Sequence, residues 1–164
     1  MPNWCKGNIR LRGKNEDIKA FLANELEGTA YNSEYDIVAT PPIIRDICGD
    51  GLSIEVKPPN EGQYCALYIK NTRRNFIDRA FEVEFCDDGR SLICIDNFSA
   101  AWGIEPEPYV ELSKKYNLDI KLYGIECGME FVQEIEIING ELKRNETIEY
   151  DDWGWECPFP NMGG

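Results

Sequence analysis

Residues 131–150 read FVQEIEIINGELKRNETIEY, and the Asn139-Gly140 pair at their centre decides the fold class. Asn and Gly both accept the positive φ angles of a type I′ turn, whose twist matches that of the strands it joins. With these two residues as the loop, Ile138 pairs with Glu141 and the register of a hairpin follows. On one face Ile137 meets Leu142, Phe131 meets Ile148 and Met129 meets Tyr150. On the other, Glu136 meets Lys143, Glu134 meets Asn145, Val132 meets Thr147 and Glu130 meets Glu149. Gln133, Arg144 and Glu146 fall on the apolar side, so the alternation is imperfect. The hairpin predicts an antiparallel sheet with one face rich in carboxylates. Like charges directly opposite weaken a ladder by a few tenths of a kcal/mol or more. The Glu130–Glu149 pair therefore calls for solvent exposure, a cation or a basic partner, and exposure is the simplest of these.

Upstream of the hairpin, Tyr109, Leu112 and Tyr116 form the apolar stripe of a helix that begins near Pro106 or Pro108 and ends at Asn117. Residues 81–95 read as a second hairpin. Phe81, Val83 and Phe85 alternate with glutamates, and a loop at Asp88-Gly89 would set Val83 against Cys94 and Phe85 against Leu92, making Cys94 a core residue. LSIEV, ended by Pro58-Pro59, and YCALYIK are further strands. Near the N-terminus, Asn15 is placed to cap a helix with Ile18, Phe21, Leu22 and Leu26 on one stripe and Gly28 as its stop. Before it, NIRLR alternates with strand period. Cys5, Gly7, Ile9 and Leu11 share a parity, which makes Cys5 a small apolar plug and turns Trp4 to the other face. The sum is a single α+β domain over residues 1–150, mainly antiparallel sheet with two packed helices, followed by an acidic, Trp-rich tail at 151–164.

At 164 residues the chain is long enough to bury a core without metal or disulfide staples. Seven scattered cysteines, an odd number without a CxxC pair, predict reduced thiols rather than a disulfide framework. There is no histidine. That removes the commonest general base, the Ser-His and Cys-His nucleophile systems and the usual zinc sets, so we expect a non-enzyme with no cofactor and no metal. No apolar run is long enough for a membrane helix and no secretion signal opens the chain, so a cytoplasmic location is expected. Seventeen basic residues against 30 acids give a net charge of −13. Residues 101–164 hold 14 of the acids and only 5 bases. Such a field repels nucleic acid and anionic membranes and attracts basic partners.

Several stretches invite a chemical reading. GNIRLRGKN at 7–15 has one residue too many between its glycines for a phosphate loop, and Asn15 where Ser or Thr would hold magnesium. Lys70, Arg73, Arg74 and Arg79, with Tyr68 and Phe76, suggest an RNA platform, but four bases are a thin footprint and pairing with Glu82 or Glu84 is the expected fate. Glu126, Glu130 and Glu149 offer carboxylates for a hard metal or acid–base work, yet nothing in their spacing selects them over a solvated acidic face. The segment YDDWGWECPFPNMGG is different, because Trp153 and Trp155 lie among Asp151 and Asp152. Aromatic anchors inside a charged rim are where interface energy concentrates.

MPNWC, followed by Asn8 and a strand ending at Gly13, resembles the N-terminus of small phage and plasmid proteins carrying the YubB-type ferredoxin-like domain, the Api-like family. The run NFSAAWGIEPEPYVELSKKYNLDIKLYGIECGMEFVQEIEIINGEL is similar to the same family at Trp102, Pro106, Leu112, Tyr116, Glu126, Gly128 and Phe131. The resemblance implies a split β-α-β arrangement without an iron–sulfur cluster, brings no catalytic residues, and implies a mobile-element origin in a bacterial host. With the charge, it leads to an expected role. The protein would bind a basic host surface through Glu130, Glu134, Glu136, Glu149, Asp151, Asp152, Trp153 and Trp155, imitating nucleic acid to inhibit a defence nuclease or another nucleic-acid-binding protein. The competing expectation is a small-ligand or divalent-metal module built on Trp102, Glu126 and Glu130.

Overall fold

The computed structural model describes residues 2–31, 37–47, 49–58, 60 and 63–164, without the side chains of Tyr31 and Ile37; Cys48 and Pro59 lie outside them. The chain runs β1 (Trp4–Lys14), α1 (Asn15–Glu25), β2 (Leu26–Tyr31), β3 (Ile37–Thr40), β4 (Ile43–Ile47), β5 (Gly51–Glu55), β6 (Cys65–Ile69), β7 (Asn75–Ile77) and β8 (Ala80–Glu84). It continues through β9 (Arg90–Ala101), α2 (Glu107–Tyr116), β10 (Asp119–Glu126), β11 (Phe131–Ile138), β12 (Glu141–Glu149) and the single turn α3 (Trp153–Glu156). Nine strands form one sheet in the order β12-β11-β10-β1-β9-β7-β6-β2-β3, and β4-β5-β8 form a small second sheet. Every pairing is antiparallel. The α+β class and the antiparallel character stand as the sequence predicts.

Strand parity sorts the large sheet into two faces. Cys5, Ile9 and Leu11 of β1, Ile93 and Ile95 of β9, Ile120 and Leu122 of β10, and Ile135 and Ile137 of β11 all point inward. They meet Ile18, Phe21 and Leu22 of α1 and Tyr109, Leu112 and Tyr116 of α2 in one core that also takes Ile54, Val83 and Phe85 from the small sheet. Lys6, Asn8 and Arg10 point to the outer face with Trp4, as expected. A second, smaller cluster lies there, where Trp153 and Cys157 cover Ile125 and Val132. The segment 151–164 is therefore folded back onto the sheet rather than free.

Four local expectations are corrected. Residues 81–95 are not a hairpin, because β8 pairs with β5 while β9 pairs with β1 and β7. The inward set on β9 is Ser91, Ile93 and Ile95, which leaves Leu92 (64% exposed) and Cys94 on the outside instead of in the core. Asn15 is the first helical residue and not a cap. Its amide donates to the Cys86 carbonyl (2.8 Å) and its carbonyl accepts from Ser91 Oγ (2.8 Å), tying α1 to the turn before β9. Gly28 does not stop α1, which ends at Glu25; it sits within β2, where a Cβ would lie 2.2 Å from the Thr40 carbonyl oxygen.

The fourth correction concerns the last hairpin. Its turn is as read, with φ +52° at Asn139 and +74° at Gly140, and Ile137 does meet Leu142. Beyond that pair the register slips by one, so that Glu136 meets Arg144, Glu134 meets Glu146, Val132 meets Ile148 and Phe131 meets Glu149. Lys143 is the extra residue of a β-bulge. The bulge moves Arg144 and Glu146 to the outer face with Glu134 and Glu136, while Gln133 stays on the inner side opposite Thr147.

Candidate functional site

The one-residue slip redistributes the carboxylates predicted to form an acidic face. Glu134 is ion-paired to Arg144, which reaches Glu146 as well at 3.7 Å. The two glutamates stand directly opposite in the ladder, and the guanidinium between them offsets the repulsion. The same contact with Glu134 pushes the Arg144 pKa up. Glu136 has Arg144 on one flank and Lys121 on the other in the register. Three acids in the middle of the hairpin thus share two cations, which offset most of their charge.

The uncompensated charge lies at the open end of the hairpin, opposite the Asn139-Gly140 turn. Glu130, in a left-handed conformation at φ +57°, precedes β11 and does not pair with Glu149; Phe131 does. Glu149, Asp151, Asp152 and Glu156 follow in order along the chain. All five are exposed, and none makes an ion pair among the described residues.

The two tail tryptophans divide the work. Trp153 is 8% exposed, packs against Tyr150 at 6.0 Å between ring centres and donates Nε1–H to the Pro160 carbonyl (2.9 Å). It is an internal anchor and not the partner-facing residue the sequence suggested. Two residues on, the single turn of α3 puts Trp155 outward at 87% exposure. Met129 at the neighbouring turn is 71% exposed. The tail that carries Trp155 is fixed at its far end as well. Gly164 N–H donates to the Trp4 carbonyl (3.0 Å) and Cys127 S–H to the Gly163 carbonyl (3.2 Å).

Within the trio expected for a ligand or metal, Glu126 is committed to the backbone. Glu126 is fully buried, with Oε1 accepting from Gly128 N–H and Oε2 from Met129 N–H, both at 2.7 Å. Its carboxylate organises the turn between β10 and β11. It also acts on Cys5, whose thiol is pushed up to about 12 by burial and then by this nearby charge. Among the described residues no three His, Cys, Asp or Glu side chains are grouped to hold a metal.

Trp102 takes part in a cluster that no local pattern along the chain marks. The Arg74 guanidinium lies 5.8 Å from the Trp4 ring and 5.7 Å from the Trp102 ring, and Arg73 lies 5.8 Å from Trp102 while pairing with Glu105 at 2.9 Å. Arg73 therefore pairs with Glu105 and not with the expected Glu82 or Glu84. Positions 4, 74 and 102 have no common period, so only tertiary structure unites them.

Compared with known protein families, curated proteins and solved structures, the chain matches none.

Proposed function

We propose that the protein is a non-enzymatic binding protein of phage or plasmid origin, acting in the cytoplasm of a bacterial host, that engages a basic protein surface through the open end of its last hairpin. The observation that carries this reading is Trp155, almost fully exposed on a pinned tail with Asp151, Asp152 and Glu156 as chain neighbours. An exposed tryptophan within a rim of unpaired acids combines an anchor that gains by burial with charges that steer a cationic surface to it. Since those acids make no ion pair among the described residues, they meet a basic groove without first breaking one. A host nuclease or other nucleic-acid-binding protein presents such a groove, and the acidic end would occupy it in place of phosphate.

The family reading is supported by topology. α1 links β1 to β2, α2 links β9 to β10, and the order β10-β1-β9 continues to β2 with β7 and β6 inserted, a split β-α-β plan with an extra strand pair. The test is affinity capture from host lysate with salt titration, comparing the native chain with a Glu149→Lys, Asp151→Lys, Asp152→Lys, Glu156→Lys variant and with Trp155→Ala. The captured protein should be lost from both. Retention of the same partner by the charge-reversed chain at low salt would remove the acidic end from the binding surface.

A further inference from the structure

The outer face of the large sheet is left open where the tail stops, and there it carries a cleft of about 510 Å³. The size falls in the range of small-molecule sites. Its floor is a distortion in the two central strands. Gly7 pairs with Phe98 but Ile9 pairs with Ile95, so Asp96 and Asn97 together stand opposite Asn8. Asn97 takes φ +58° to make this β-bulge. In a regular strand these two neighbours would point to opposite faces; here both are exposed on the outer one. A bulge that re-aims side chains in the middle of a sheet, at the cost of a left-handed non-glycine residue, is the kind of local strain that marks binding sites.

The walls are aromatic. Tyr123 rises from β10 on one flank, beside Phe159 of the tail, and Tyr64 stands on the other flank just before β6. Four strand spacings separate β10 from β6, about 19 Å, which accommodates one or two sugar-sized rings. The charged groups lining the cleft are one ammonium, Lys6, and two carboxylates, Asp78 and Asp96. That balance, within a chain of net charge −13, disfavours phosphorylated or otherwise anionic ligands. What remains is a donor-only group, acceptor-only groups and the two-way amides of Asn8 and Asn97 within one concavity. Adjacent ring hydroxyls, each of which both donates and accepts, match that mixture, and the aromatic walls match the faces of the ring.

We infer that this cleft binds an uncharged ring compound bearing vicinal hydroxyls, supplied either by a saccharide or by the ribose of a nucleoside. None of the acids assigned to the basic partner lines this cleft, although the same tail supplies Phe159 and Met162 to it. The experiment is saturation-transfer NMR and calorimetry on the full chain with glucose, galactose, N-acetylglucosamine, adenosine and uridine, and with adenosine monophosphate as the charged comparison. At least one neutral probe should bind, and adenosine monophosphate should bind less well than adenosine. Saccharide binding alone and nucleoside binding alone both support the site and identify its source. Asn97→Gly keeps the backbone conformation while removing the amide, and Asp96→Asn keeps the shape while removing the charge. Each should weaken binding about tenfold, the size of one hydrogen bond of this kind, with an unchanged melting temperature. Absence of binding by every neutral probe, undiminished binding in both variants, or tighter binding of adenosine monophosphate than of adenosine would overturn the inference.

Discussion

Glu25 is the last residue of α1 and is 3% exposed, yet it carries a carboxylate into the contact between the two helices. Its Oε1 accepts from Tyr116 Oη and from Lys115 Nζ, both at 2.6 Å. Burial alone would raise its pKa, but the hydrogen bonds from Lys115 and Tyr116 outweigh burial and hold the carboxyl below its usual range. Glu25→Gln removes the charge and keeps the shape. A hydrogen bond from a buried hydroxyl to an ionised carboxylate contributes about 1.5–3 kcal/mol and the neutral amide replacement roughly 1, so the Tyr116 contact loses about 0.5–2 kcal/mol. For a domain of this length that lowers the melting temperature by about 1–8 °C. Because the folded pKa is depressed, the stabilisation is complete above the ordinary glutamate value near ~4.3 and disappears as pH falls through the folded value. Thermal unfolding of both proteins by circular dichroism should therefore show the full gap at neutral pH and a closing gap in acid. An undiminished gap at pH values where the native carboxyl is already protonated, or no gap at neutral pH, would refute the assignment of an ionised Glu25 as the clasp between α1 and α2.

Other outcomes follow from the same geometry. Trp153→Ala should cost about 3–5 kcal/mol by urea titration, whereas Trp155→Ala should stay within about 0.5 kcal/mol of the native chain, since only the first ring is internal. Gly140→Ala places a Cβ 2.4 Å from Lys114 Cγ at a φ of +74°, and should destabilise the hairpin turn by roughly 1–2 kcal/mol or more in the same assay. With a thiol reagent at mildly alkaline pH, mass spectrometry should find exposed Cys86 modified first. Cys94, raised by desolvation and by Asp96, should follow, and Cys5 should be modified only on unfolding.

The parts of this fold legible in the sequence are those fixed by neighbours along the chain. The Asn139-Gly140 turn, the stripe on α2 and the left-handed Asn117 that ends it depend on φ preferences and helical spacing, and the structure has them where the residues place them. Cys5 is buried because a strand through Ile9 and Leu11 forces its parity. What escaped reading depends on which distant strand completes a ladder. The turn between β8 and β9 looks like a hairpin loop, but β5 and β1 compete for the two strands, and the competition decides which face Cys94 takes. The bulge at Lys143 had a trace in the sequence, namely Arg144 and Glu146 out of phase on its own strand. The bulge at Asp96-Asn97 had none, because its mate Asn8 lies far away along the chain.

That difference bears on how the charge of −13 is to be understood. A total says nothing about field unless the partners of each charge are known, and here one extra residue in β12 changes those partners. With the simple register, Glu134 and Glu136 would face Asn145 and Lys143, and an acidic sheet face would be the natural surface for a basic ligand. With the bulge, Arg144 takes the place of Lys143 opposite Glu136 and brings Glu146 opposite Glu134, so that one guanidinium bridges the two facing glutamates. Five carboxylates without an ion pair among the described residues, Glu130, Glu149, Asp151, Asp152 and Glu156, lie on the turn before β11, at the end of β12 and along the tail, beside the exposed Trp155. Deleting Lys143 should close the bulge while leaving Arg144 opposite Glu136 and Glu146 opposite Glu134. The salt dependence of binding to a basic partner should then stay with the acids of the tail, and a shift of that dependence to the strand would refute the placement of the binding charge at the open end.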